Sequence, residues 1–182
     1  NQPVFAGGNL KAIIPHLQYI SNLGITALWL SPFFKGVAYH GYHITNFFEV
    51  DEHFGTIEDL RILINECHNL NIRVIIDFVP NHCSKFHPYF LEAIANSRSE
   101  YYSWFTFETY PSKYQSFLDF SELPKLNLRN KATAEHLLKS AEFWLSMGID
   151  GFRIDHVLGI PRSFLKKLKK LVSVINPQAV LF

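Results

Sequence analysis

Leu145-Ser146-Met147-Gly148-Ile149-Asp150-Gly151-Phe152-Arg153-Ile154-Asp155 is the stretch on which the fold reading turns. It closes an amphipathic helix, exits tightly at Gly148 and enters an apolar strand that ends in two charges. The same phrase occurs twice earlier, as Ser21-Asn22-Leu23-Gly24-Ile25 before Thr26–Leu30 and as His68-Asn69-Leu70-Asn71-Ile72 before Arg73–Val79. Gly24, Asn71 and Gly148 stand where a helix end needs a left-handed residue, a conformation Gly and Asn tolerate best.

Working outward, three- and four-residue apolar steps predict helices over Leu10–Leu23, Ile57–Leu70, Thr133–Met147 and Pro161–Ile175. Thr56 and Thr133 are read as N-caps, and Asp59 adds an acid near the start of its helix. Four strands are expected, at Ile25–Leu30, Arg73–Val79, Asp150–Asp155 and Ala179–Phe182, the last as a short buried strand. Helices alternating with nearly unbroken apolar strands imply an α/β fold with a parallel sheet covered by helices. That leaves an open doubly wound sheet or part of a (β/α)8 TIM barrel, which typically needs about 250 residues. No Gly-rich phosphate loop follows any strand, so the dinucleotide-binding version of the open sheet has no support.

The interval between the second and third repeats is the longer one. Its surplus lies in Cys83–Asn130, rich in Phe, Tyr, Ser and Pro, and a connection that long is functional or a small subdomain. The expected organisation is a barrel portion over 1–82, a short insertion over 83–130 and a second barrel portion over 131–182.

Composition narrows the function classes. The 182 residues are 48% hydrophobic, and 17 Lys plus Arg against 16 Asp plus Glu leave a net charge of +1. This is not a disordered chain, and it lacks the basic excess of a nucleic-acid binder. No apolar run approaches the roughly 20 residues of a membrane span. Cys67 and Cys83 make no disulfide framework, and Asn1–Asn9 carries no signal-peptide pattern, so a cytoplasmic location is favoured. Lys166, Lys167, Lys169 and Lys170 alternate with Leu165, Leu168, Leu171 and Val172 and read as the solvated back of an outer helix.

The chemistry-bearing residues cluster at strand ends. Strand alternation sends Arg153 and Asp155 to one face and Phe152 and Ile154 to the other. In a barrel the charged pair faces the interior near the C-terminal end of the strand, where barrel active sites lie; the competing reading is an ion pair bracing the sheet. Asp77 interrupts the run Val74–Val79 and needs a cationic or hydrogen-bonding partner, for which Arg153 is the candidate. His82 falls just past that strand, at the mouth. In Tyr39-His40-Gly41-Tyr42-His43, Gly41 between aromatics predicts a tight bend presenting a ring suited to the apolar face of a sugar, with Tyr42 as core filler the alternative.

Taken together these segments resemble the alpha-amylase family of glycoside hydrolases, over nearly the whole chain. Ala38–Phe48 with Phe54-Gly55-Thr56 looks like the segment after that family's second barrel strand, and Asp77-Phe78-Val79-Pro80-Asn81-His82 matches the region after its third. Leu123-Pro124-Lys125-Leu126-Asn127 is similar to the insertion-domain motif of the neopullulanase and cyclomaltodextrinase branch. Gly151-Phe152-Arg153-Ile154-Asp155 matches the region on the fourth strand.

The resemblance implies a partial barrel, about strands 2 to 5, with a short insertion domain after the third strand. It also implies retaining hydrolysis of α-glucosidic bonds in starch-type α-glucans and maltooligosaccharides. Asp155 is then the nucleophile and Arg153 the group that keeps it ionised, while Tyr42 and His82 contact the sugar and Asp77 braces the site. Asn81 is the calcium candidate, but Lys125, Leu158 and Gly159 depart from the calcium-binding pattern, and no cofactor is required. His43 stands where many relatives carry Asp. The family's general-acid Glu follows the strand matched by Ala179–Phe182, so the chain is expected to be a catalytic-domain fragment, inactive alone. Two alternatives stand beside this: a non-catalytic amylase-like binding module, and a metal-dependent barrel hydrolase using Asp77, His82, Asp155 and His156.

Overall fold

The structure, a computed structural model, describes residues 5–182. Its centre is a parallel sheet of four strands in the order β1 (Ala27–Leu30), β4 (Arg73–Phe78), β9 (Gly151–Ile154) and β10 (Val180–Leu181). Each parallel crossover carries helices: α3 (Ile57–Asn69) between β1 and β4, α5 (Lys131–Ser146) before β9, and α6 (Arg162–Ile175) before β10. Val74, Ile76, Phe78 and Phe152 on the helix side are fully buried, and they join Leu63, Ile64, Leu137, Trp144, Phe164 and Leu168 in one core. The expected alternation therefore holds, with apolar side chains under the helices and Asp77 and Arg153 on the opposite face.

Helix ends follow local chemistry. Thr56 and Asp59 exchange reciprocal hydrogen bonds of 3.1 and 2.9 Å as a capping box on α3. Gly24, Asn71 and Gly148 adopt φ of 79, 58 and 100° as their helices stop. The N-cap of α5 is Asn130, not Thr133. Asn130 Oδ1 accepts from the Thr133 backbone N–H at 3.1 Å and from its hydroxyl at 3.3 Å, which places Thr133 inside the first turn. The continuous helix expected over Leu10–Leu23 is also broken. Pro15, which has no N–H to give, sits in a 3-10 turn at Ile14–His16 between α1 (Leu10–Ile13) and α2 (Leu17–Asn22).

Two departures from the simple alternation shape the C-terminal face of the sheet. After β1 the chain forms an antiparallel pair, β2 (Phe34–Gly36) with β3 (Ile44–Val50), whose connection carries Gly41 and Tyr42. After β4 it runs through α4 (Pro88–Ala95) and two small antiparallel pairs: β5 (Phe107–Thr109) with β6 (Lys113–Tyr114), and β7 (Ser116–Phe117) with β8 (Phe120–Pro124). An isolated bridge between His82 and Lys125 ties this excursion back to the end of β4.

The terminal strand is half-exposed rather than buried, and Phe182 is 62% exposed. The basic residues of α6 face solvent, while Phe164, Leu168 and Val172 hold the core.

Gly151 on β9 lies close under the backbone of β10. It has φ +151°, and a Cβ there would stand 2.1 Å from the Val180 carbonyl oxygen. Gly151→Ala is expected to cost more than about 1 kcal/mol in urea unfolding and to loosen β10 first, read as faster amide exchange at Val180 and Leu181.

Candidate active site

The polar face of the sheet converges on one guanidinium. Asp77 and Arg153 are register partners across β4 and β9, so their side chains leave the sheet side by side. Arg153 Nη1 donates to Asp77 Oδ1 and Oδ2, each at 3.1 Å, and to Asp155 Oδ1 at 2.7 Å. Asp77 is wholly buried, and Asp155, directly after β9, is 9% exposed. The expected partner of Asp77 is thus in place, and one cation serves two carboxylates.

Tyr42 joins from the other side. Its hydroxyl donates to Asp77 Oδ2 at 3.0 Å, and its backbone N–H donates to His40 Nδ1 at 3.1 Å. Gly41 makes that approach possible: φ is +81°, and a Cβ would lie 2.0 Å from the Pro32 carbonyl oxygen. The predicted bend is real, but the ring does more than fill core, because its hydroxyl anchors it to the ion-pair cluster.

Burial and charge pull against each other here. Burial raises the pKa of Asp77, and the Arg153 hydrogen bonds and charge together with the Tyr42 hydrogen bond only partly offset it. Burial counts against the charge of Arg153 as well, but the hydrogen bonds and charges of Asp77 and Asp155 outweigh it and raise its pKa. The Tyr42 phenol is pushed up to about 12, first by burial and then by the charge of Asp77, so it remains a proton donor.

His82 is 1% exposed, well inside the mouth rather than at its rim. Burial lowers its pKa to about 3, so the imidazole is neutral near pH 7. Asn81 Nδ2 lies 3.3 Å from His82 Nδ1, and the Phe117 ring of β7 lies 4.7 Å from the His82 ring. Phe117 also meets His156 edge to face at 4.7 Å. His156, immediately after Asp155, takes a left-handed φ of 47°.

Tyr42, His82, Phe117 and Asp155, with His40, His43, Phe120, Glu122 and Leu123, line a cleft of about 380 Å³. That volume is within the range of small-molecule sites, and the lining pairs aromatic faces with a few polar groups. His82 Nε2 and Asp155 Oδ2 are both buried without a hydrogen-bond partner among the described residues. The arrangement can therefore offer a neutral donor or acceptor and one free carboxylate oxygen to a polar ligand. Phe117 is hidden in the aromatic-rich stretch of the sequence; the hint is its place six residues before the Leu123-Pro124-Lys125-Leu126-Asn127 motif.

Asn81 Oδ1 is buried without a hydrogen-bond partner among the described residues, next to Gly159, and the Asn81 backbone carbonyl accepts from the Leu126 N–H at 2.9 Å. Calcium takes roughly six to eight oxygens, often carboxylates, and the sequence neighbour of Leu126 is Lys125, a cation. Asp77, His82, Asp155 and His156 do not make a transition-metal site. Asp77 is occupied by Arg153 and Tyr42, and among the described residues no three His, Cys, Asp or Glu side chains converge on one point.

Burying His82 in its neutral form links stability to pH. Below its ordinary value near 6.5 the unfolded chain binds a proton that the folded chain refuses, so stability falls from about pH 6.5 toward about 3. His82→Gln is expected to flatten the acid limb of the urea-unfolding free energy by up to about 1.4 kcal/mol per pH unit.

Comparison with known proteins places this geometry. The description "Alpha amylase, catalytic domain" matches residues 4–172. The chain is 45% identical over 154 residues to alpha-amylase 2 of Dictyoglomus thermophilum, covering 84% of this chain and 27% of that protein. It is 34% identical over 184 residues to a cyclomaltodextrinase of a Bacillus species, covering 96% of this chain and 33% of the relative. The chain thus spans about a third or less of the length of these curated relatives. Among solved structures, the cyclic alpha-maltosyl-(1→6)-maltose hydrolase of Arthrobacter globiformis, in complex with cyclic alpha-maltosyl-(1→6)-maltose, superposes with a TM-score of 0.94 at 32% identity. That superposition covers 97% of this chain and 42% of the other. With a matching catalytic-domain description and relatives across nearly its whole length, this chain belongs to the alpha-amylase family of glycoside hydrolases.

Proposed function

We propose that the chain is the nucleophile-bearing part of a retaining α-glucan hydrolase in the cyclomaltodextrinase and neopullulanase branch. Residues 1–82 and 131–182 build the barrel portion, about strands 2 to 5, and residues 83–130 form a short insertion that walls the cleft. The observation that carries the reading is the division of labour at Asp155, which lines the cleft, with Oδ1 held by Arg153 at 2.7 Å and Oδ2 buried without a partner among the described residues.

Asp155 attacks the anomeric carbon through the free oxygen, forming a glycosyl-enzyme as the glycosidic bond breaks. Arg153 holds the attacking group in place through its 2.7 Å hydrogen bond to Oδ1. Tyr42 presents its ring to the sugar, fixed in place by the hydroxyl bond to Asp77. His82, neutral and buried, hydrogen-bonds sugar hydroxyls, while Asp77 holds Arg153 and Tyr42 in register. Retaining chemistry also needs a carboxylic acid about 5–5.5 Å from the nucleophile. Because the chain spans about a third or less of its curated relatives, that acid is assigned to residues outside 1–182, and residues 1–182 alone are inactive. No step runs through calcium. A cytoplasmic location fits the two free, buried thiols, Cys67 and Cys83.

The names of the relatives supply the substrate class for the test, namely linear and cyclic maltooligosaccharides. In the protein carrying the whole catalytic domain, Asp155→Asn is expected to lower kcat on maltohexaose by about 10⁴-fold or more, and NMR of the first product is expected to show the α anomer. Full activity in Asp155→Asn would overturn the proposal. So would saturable glucan binding with no turnover by the unaltered domain, which would favour the non-catalytic module.

A further inference from the structure

Arg153 presents an orientation problem that its ion pairs do not solve. All three hydrogen bonds that it makes among the described residues leave from one nitrogen, Nη1. A guanidinium normally grips carboxylates through a two-nitrogen fork, which fixes its plane. Contacts from a single nitrogen leave that plane free to swing about Nη1, and a swing turns the N–H away from Asp155 Oδ1.

The missing constraint lies on β1. Trp29 is in register with Ile75, two residues before Asp77 on the same face of β4, and so stands one step below the carboxylate layer. Its indole ring lies against Arg153, with the guanidinium carbon 5.4 Å from the ring centroid. This is within cation–π range, and Trp is the best of the aromatic partners. The guanidinium is therefore bounded by carboxylates through Nη1 and by an aromatic face across its carbon.

We infer that Trp29 is a positioning residue for the proposed reaction: its indole face sets the plane of Arg153 so that a single nitrogen serves Asp77 and Asp155 together. It touches neither carboxylate in a polar contact and acts only through the arginine. The charged and titratable groups facing Arg153 are Asp77 from β4 and Asp155 after β9, with Tyr42 behind Asp77. The functional part of the inference rests on Asp155 being the nucleophile, whereas the geometric part does not.

Nitrogen-15 NMR of the protein carrying the whole catalytic domain reads the geometry directly. In the unaltered protein the Arg153 side-chain resonances should be displaced by the indole ring current and show Overhauser contacts to indole protons. Absence of both overturns the inference without any variant. Trp29→Leu is expected to speed rotation and exchange of the Arg153 guanidinium protons by about tenfold and to move the Asp77 titration upward, whereas Trp29→Phe retains most of the unaltered behaviour. Arg153 signals indifferent to Trp29→Leu would sink it, with circular dichroism confirming that each variant is folded. In the protein carrying the whole catalytic domain, Trp29→Leu should lower kcat with little change in KM, and Trp29→Phe should restore most of it. If Asp155→Asn remains active while the Arg153 signals still answer to Trp29, the proposed reaction fails and the positioning geometry stands.

Discussion

One guanidinium nitrogen shared by two carboxylates organises this protein. Arg153 stands between a wholly buried Asp77 and a nearly buried Asp155. Neither carboxylate is cheap to hold in such a place without a cation. Buried ion pairs are weak sources of net stability, because desolvation cancels much of the attraction. Their presence at the C-terminal end of a parallel sheet is better understood through what they hold in place: a carboxylate with one oxygen bonded to Arg153 and the other without a partner among the described residues.

The fold supplies that arrangement from several chain segments at once. Parallel pairing of β4 with β9 sets Asp77 opposite Arg153, and the bend at Gly41 brings the Tyr42 hydroxyl onto the same carboxylate. The excursion after β4 lays Phe117 across His82 and His156, which gives the cleft an aromatic wall. Dry surroundings then do two things. They keep His82 neutral, and they strengthen the contact between Arg153 and the fully buried Asp77. The same burial predicts that acid weakens the fold, since His82, His87 and His136 are all held neutral well below the usual histidine range.

Much of this was legible in the sequence because it depends on short-range rules. Period-two alternation put Arg153 and Asp155 on one face, and the Gly and Asn helix exits located the strands that follow them. Asp77 in an apolar run demanded a partner, and Arg153 answered. What stayed hidden depends on tertiary placement. Trp29 lies in Ala27-Leu28-Trp29-Leu30, where one more apolar side chain looks like packing, and only the register with β4 puts it against Arg153. Asn130 outcompeted Thr133 as the cap because its side chain reaches both Thr133 groups, a choice between nearby capping residues that spacing alone does not resolve. Pro15 leaves no mark on the pattern because the apolar steps around it remain helical, although its missing N–H interrupts the hydrogen bonding.

The most direct test of the central interaction is a double-mutant cycle on unfolding free energy with Asp77→Asn, Arg153→Met and the pair. Two groups in one buried network should be coupled by about 1–3 kcal/mol, with the double variant far less damaged than the sum of the singles. Additivity within about 0.5 kcal/mol would mean that Asp77 and Arg153 do not hold one another, and the account of how Arg153 is held against Asp155 would fall with it.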